Sequence, residues 1–149
     1  MKIFIGSDHR GYSFKESVFA HMAKRGIDTE DISETELSPE DDFPQIAASA
    51  VIKVLGEDDA RAVLICGSGH GMAMAANRFN GIRAAAVSDT YEAKATRTDN
   101  DSNVLCLSAD VLSRQDETVW KDILDTWLDT PFAKAARYVR RNYQLDELS

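Results

Sequence analysis

Ala62-Val63-Leu64-Ile65 is apolar at every position and runs directly into Cys66-Gly67-Ser68-Gly69-His70-Gly71. A strand with one wet face alternates polar and apolar residues. A continuously apolar one is covered on both sides, as central strands of parallel sheets are. Three glycines in five residues then allow a tight turn, and the Ala- and Met-rich stretch from Met72 to about Phe79 predicts a helix. Strand, glycine turn and helix are the opening of a βαβ unit.

The rest of the chain repeats this alternation. Lys2 to Ile5 predicts a strand that ends in the turn Gly6 to Gly11, and Ser13 with Glu16 three residues on fits a capping box. Phe14, Val18 and Met22 keep i, i+4 spacing up to a stop at Gly26. Ile27 to Ile32 is a weaker strand, followed by an acidic loop. Pro44 suits the first turn of a helix bearing Ala47, Val51 and Val54, with Gly56 behind it. Arg83 to Val87 and Val104 to Leu107 read as strands, and Asp89 with Glu92 caps the helix between them. Val119, Ile123 and Trp127 mark a further helix, and Thr130-Pro131 is expected to open a last, basic one through Arg137, Arg140 and Arg141. Five strands each followed by a helix predict an α/β fold, with right-handed crossovers and helices on both faces of a parallel sheet. At 149 residues and 44% hydrophobic, one domain spanning 1–149 is expected.

Lys plus Arg number 17 against 25 Asp plus Glu, a net charge of −8. Such a field repels phosphodiester backbones and anionic lipid, so no nucleic acid and no membrane is expected as partner. A local basic site for a small anion stays open. Two cysteines are too few for a disulfide scaffold and suit a reducing cytosol. No leader-like apolar segment is present, nor an apolar run near the roughly 20 residues that span a bilayer, so a cytoplasmic location is expected.

Ligands of open α/β sheets bind outside the carboxyl ends of strands, where strand order reverses. Two loops qualify: Ser7-Asp8-His9 after the first strand, and Cys66 to Gly71 after the third. The second lacks the Gly-Lys-Ser/Thr of a phosphate-binding loop and the spacing of a dinucleotide fingerprint, so no nucleotide cofactor is expected. A thiol beside glycine amides and a helix start is where a thiolate is favoured. An unperturbed thiol, with pKa near 8.5, is only about 3% ionised at pH 7; a lowering of about 1.5 units would ionise about half. The same spacing also fits a small apolar residue ending a core strand. Cys106, within Leu105-Cys106-Leu107, reads as core. Asp8 and His9 either orient a polar substrate or bond within their turn, and His70 stands in the glycine loop. No His or Cys pair has metal-ligand spacing, so no metal is expected. Arg137 and Arg141, at i and i+4, share a helix face and either clamp a phosphate or form a solvated cationic face.

Together these segments resemble the ribose-5-phosphate isomerase B family, which also contains the galactose-6-phosphate isomerase subunits. The resemblance covers nearly the whole chain. It is carried by Ile5-Gly6-Ser7-Asp8-His9-Arg10-Gly11-Tyr12, Asp42-Phe43-Pro44, Leu64 to Met72, Ala75-Ala76-Asn77-Arg78, Gly81-Ile82-Arg83-Ala84, Asn100 to Val104, and the tail at Arg137 to Arg141. It implies a Rossmann-like three-layer α/β/α sandwich with a five-stranded parallel sheet and a basic C-terminal helix. The expected assembly is a homodimer or dimer of dimers with shared active sites. It also implies metal-free interconversion of an aldose phosphate and a ketose phosphate through an enediolate. Cys66 matches the family's base and Ser68 its hydroxyl for proton movement. The amides of Gly67, Gly69 and Gly71 match the oxyanion donors. Asp8, His9 and Asn100 match substrate contacts, and Arg137 and Arg141 match the phosphate clamp.

Three departures stand out. Asp99 replaces the histidine that helps open the sugar ring, Asp110 replaces a phosphate-binding arginine, and Tyr138 replaces a tail histidine. Either Asp99 or His70 then inherits ring opening, and the sugar is expected to differ from the family's usual one. The alternatives are one subunit of a hetero-oligomeric galactose-6-phosphate-type isomerase, or a non-catalytic sugar-phosphate-binding module.

Overall fold

Ala60–Cys66 (β3) forms the middle strand of a five-stranded, wholly parallel sheet ordered β2-β1-β3-β5-β4. The other strands are β1 (Lys2–Ser7), β2 (Asp28–Asp31), β4 (Ala84–Ala86) and β5 (Val104–Ser108). The structure, a computed structural model, describes residues 1–33 and 41–148. Most of the acidic stretch expected to be a loop lies outside the described residues.

Successive side chains of a strand point to opposite faces, and the two faces carry separate cores. On one, Ile3, Ile5, Val63, Ile65, Leu105 and Leu107 meet helix α1 (Tyr12–Lys24), α4 (Thr90–Asn100) and α6 (Glu117–Asp129) through Phe14, Val18, Met22, Ala93, Ile123 and Trp127. On the other, Phe4, Ala62, Leu64, Cys66 and Val104 meet α2 (Phe43–Leu55) and α3 (His70–Ala76) through Ala47, Val51, Val54, Met72 and Ala76. This double cover is why β3 carries no polar residue from Ala62 to Ile65; its one charged residue, Arg61, is near the start of the strand and only partly buried. The edge strand β2 is only partly buried and reads Asp-Thr-Glu-Asp, so hydropathy marks it weakly. Its end is tied in by Lys15 of α1, fully buried, whose ammonium lies 2.7 Å from Asp31. The chain finishes with α5 (Ala109–Leu112) and α7 (Ala136–Glu147).

Several boundaries correct the sequence reading. Ser13 does not cap a helix. Asp8 does: its Oδ1 accepts from the amides of Arg10 (3.0 Å) and Gly11 (3.1 Å), opening a 3-10 turn at His9–Gly11 that runs straight into α1. Ser13 therefore falls inside the first turn. Thr130-Pro131 does not open the last helix either. Thr130 closes α6, its amide donating to Thr126 O, and α7 starts only at Ala136. Between them Ala133 donates to Thr98 O and Lys134 takes a φ of +59°, which no helix accommodates. Helix α3 spans His70–Ala76 rather than Met72 to Phe79, and β4 is shorter than Arg83 to Val87.

Candidate active site

Strand order reverses beside β1, which has β2 on one side and β3 on the other. The carboxyl ends of β1 and β3 are therefore the expected place for a ligand. Ser7 is in register with Ile65, and the Asp8 amide donates to Ile65 O at 3.3 Å, so the two chemically promising loops are neighbours.

Asp8 is buried and engaged as the cap of the 3-10 turn. The next residue, His9, is fixed by a partner 32 positions away: both its amide (2.9 Å) and its ring Nδ1 (2.8 Å) reach Oδ1 of Asp41. With Nδ1–H donated to a carboxylate, Nε2 is the nitrogen left for other contacts. No local sequence pattern marks Asp41 as a partner of His9. It sits in an acidic stretch where nothing distinguishes it from its neighbours.

Cys66 ends β3 with 5% of its surface exposed, and the Gly69 amide donates to its sulfur at 3.2 Å. Gly69 adopts φ +82°, a left-handed conformation that side chains with a Cβ rarely take, and this aims its N–H back at the thiol. Ser68 and His70 are exposed on the crest of the turn, the His70 amide donating to Ser68 Oγ at 3.2 Å. Gly67 O is held by Ser108 Oγ (2.7 Å) and the Asp110 amide (3.0 Å), and Gly71 faces the ring of Phe43. A cavity of about 360 Å³ adjoins the turn, lined by Ser68, His70, Ser88, Ser108 and Asp110 among others. The other thiol, Cys106, is 1% exposed; burial pushes its pKa up, with Cys66 adding to the rise. It stays protonated and is unsuited to act as a base.

Asp99, Asn100, Arg137 and Arg141 are not brought to this end. Asn100 closes α4 just before β5 begins, so it lies at the amino ends of the strands, roughly 13 Å of strand away from the glycine turn. Arg83 Nε donates to Asn100 O at 2.7 Å, Thr98 Oγ1 donates to Asp99 Oδ1 at 2.9 Å, and Asn142 of α7 donates to Asp99 O at 3.1 Å. The Arg83–Asp146 pair at 2.7 Å ties α7 to the same end. Arg137 and Arg141 are exposed on that helix, and the Arg137 guanidinium lies 4.5 Å from the Tyr138 ring centre. A larger cavity of about 710 Å³ opens here, beside Asn100, Arg83 and Asp146. It contains none of the thiol turn, so the smaller cavity is the better candidate for the chemistry. Among the described residues no group of three or more His, Cys, Asp or Glu is gathered for a metal, and no helix is long and apolar enough to cross a membrane.

A profile of the Ribose/Galactose Isomerase family matches residues 3–145. The chain is 36% identical over 133 residues to the ribose-5-P isomerase B of Listeria innocua, covering 89% of this chain and 87% of that protein. It is 33% identical to a 4-deoxy-4-sulfo-D-erythrose isomerase of a Clostridium species, over 96% of this chain and 88% of the relative. The crystal structure of ribose-5-phosphate isomerase B from Mycoplasma genitalium with bound ribulose-5-phosphate superposes with a TM-score of 0.89 at 32% identity, covering 97% of this chain and 94% of that one. Sequence and fold agree from end to end: the chain belongs to the ribose/galactose isomerase family.

Proposed function

We propose that this chain is a sugar-phosphate aldose–ketose isomerase, acting on ribose 5-phosphate and ribulose 5-phosphate or on a related pentose or hexose phosphate. The observation that carries the reading is the Gly69 amide pointed at the Cys66 sulfur, at the strand-order reversal and beside a cavity. That bond holds the sulfur at the end of β3, beside the turn that lines the cavity. In the forward direction the thiolate takes the proton from C2 of the open-chain aldose, and the electron pair moves through C1 onto the carbonyl oxygen, giving an enediolate. The Ser68 hydroxyl passes a proton from O2 to O1, and the thiol returns its proton to C1. The Gly69 and His70 amides are engaged within the turn, so the oxyanion is assigned to the amides of Gly67, Ser68 and Gly71. Ring opening is assigned to His70, which lines the cavity; Asp99 of the same chain lies at the far end.

The separation of Asp99, Asn100, Arg137 and Arg141 from Cys66 favours a site completed by a second copy of the chain, in a homodimer or dimer of dimers. There the two tail arginines hold the phosphate, while Asp8 and His9 of the Cys66-bearing copy contact the sugar. Both cysteines are free, as suits a cytoplasmic enzyme. Turnover should be screened on pentose and hexose phosphates beside their unphosphorylated counterparts, with exchange of solvent deuterium into the sugar as a second readout. Turnover of a phosphorylated sugar, and loss of both signals in Cys66→Ala, is the expected result. Binding of sugar phosphates without exchange would identify a binding module instead.

A further inference from the structure

We propose that Arg10 is a specificity-determining residue that contacts the anionic group of the substrate, and that Asp110 positions it and tempers its charge. This rests on the isomerase reading above and names a contact within that site. The guanidinium of Arg10 lies directly over Gly67, the residue after the thiol. A Cβ at position 67 would stand 2.0 Å from its Cζ and 2.2 Å from one terminal nitrogen, so only glycine lets the cation settle against this turn. Asp110, a hundred residues later, fixes both parties: its carboxylate pairs with Arg10, and its amide donates to Gly67 O at 3.0 Å. An ordinary surface ion pair adds little stability and requires no glycine beneath it. Here three elements converge to lay one guanidinium along the backbone of the reactive turn.

The charges around the cavity indicate what that guanidinium is for. Among the described residues lining it, Glu92 and Asp110 are the charged side chains, and both are acidic. Glu92 already accepts from the Ser88 amide at 2.6 Å and hydroxyl at 3.0 Å. An anion entering there meets two carboxylates unless a nearby cation offsets them, and Arg10, paired with the lining residue Asp110 and laid over the lining residue Gly67, is that cation. Its side chain is 54% exposed, and a guanidinium has five donors, of which the Asp110 pair engages one. The rest remain available to a phosphate or sulfonate oxygen. Because Asp110 neutralises much of the charge, the grip is weaker than that of an unpaired arginine, which favours a substrate held also by the tail arginines of a second copy.

The decisive comparison is between Arg10→Met and Asp110→Asn, which break or weaken the same ion pair. If that pair only braces the turn, both changes move ligand affinity in the same direction. If Arg10 grips the anion, they move it oppositely. Calorimetric titration with inorganic phosphate should show Arg10→Met weakening binding by about tenfold or more, while Asp110→Asn, which keeps an acceptor for Arg10 and removes the negative charge, tightens it. The KM for a phosphorylated sugar should follow the same order. Arg10→Lys, with the charge but not the fork, should fall between and serves if the methionine variant does not fold. Equal or same-direction shifts, or a wild-type protein that does not bind phosphate, overturn the assignment. Phosphate binding that depends on Arg10 in a protein that isomerises no sugar phosphate would instead overturn the isomerase reading alone.

Discussion

The Gly69 amide and the Cys66 sulfur face one another across 3.2 Å, an arrangement that depends on Gly69 holding φ at +82°. A Cβ there would also stand 3.1 Å from the Leu107 carbonyl carbon, on backbone that cannot swing aside. Gly69→Ala is therefore expected to cost about 1–2 kcal/mol from the left-handed conformation, or roughly 2–8 °C in thermal midpoint, and to lower turnover by about tenfold or more as the amide leaves the sulfur. Gly26→Ala provides the control. It has φ +74° with nothing within 4 Å of the added carbon, so it should lose similar stability and keep its turnover. Equal losses of turnover in both would remove Gly69 from the catalytic account.

The two thiols should behave as opposites. Cys66→Ser is expected to reduce kcat by about 10²–10⁴, the usual contribution of a positioned proton-transfer group. Cys106 is only 1% exposed although it borders the cavity, and burial keeps its thiol protonated. Cys106→Ala should lower the thermal midpoint while leaving turnover near the wild-type rate. Steady-state kinetics on the two variants separates the roles, and a Cys66→Ser enzyme of normal kcat would end the thiolate mechanism.

What the sequence reveals follows from how local each signal is. β3 and its glycine turn are legible because double burial and a positive φ each leave a mark on consecutive residues. The Ser13-Glu16 box misleads because a better acceptor, Asp8, captures the free amides one turn earlier. Pro131 misleads because a proline just beyond a helix looks the same in sequence as one that begins a helix. The pairs His9–Asp41 and Arg10–Asp110 join residues 32 and 100 positions apart, and no pattern within either segment signals the other. Asp99 and Asn100 enter the candidate site through family resemblance alone, and the tail arginines through their i, i+4 spacing as well; the fold of one chain puts Asp99 and Asn100 at the opposite end of the sheet.

Helix α6 should contribute an acid-sensitive part of the stability. Its cap, Asp116, accepts from the Thr118 amide at 2.9 Å and the Thr118 hydroxyl at 2.8 Å. The amide bond first, then the hydroxyl, holds the carboxyl below its usual range. A carboxyl that binds its proton less readily in the folded state stabilises fully above the unfolded value, and loses that contribution as pH falls through the lowered folded-state value. Asp116→Ala should therefore melt below wild type at neutral pH, and the gap should narrow in strong acid, below the ordinary aspartate range. A gap of constant size from pH 7 into acid would assign the effect to something other than the charged cap.

Sharing of the site between two copies makes a prediction that no single-chain site can meet. If Cys66 of one copy works with Arg137 and Arg141 of another, Cys66→Ala and Arg137→Met/Arg141→Met chains are each defective for a different reason. Mixing them after partial unfolding, or expressing them together, produces hybrid dimers in which one site inherits both defects and the other inherits neither. With random pairing, half the dimers are hybrid and each has one intact site, so about a quarter of wild-type activity should return. The recovered activity should carry the wild-type KM, because the intact site is chemically unchanged. Recovery to this level in the mixture, with neither parent active alone, would require the tail arginines to act across the interface. A mixture no more active than its parents, despite hybrids detected by native mass spectrometry, would place Cys66 and the arginines in the same chain's site or remove the arginines from it.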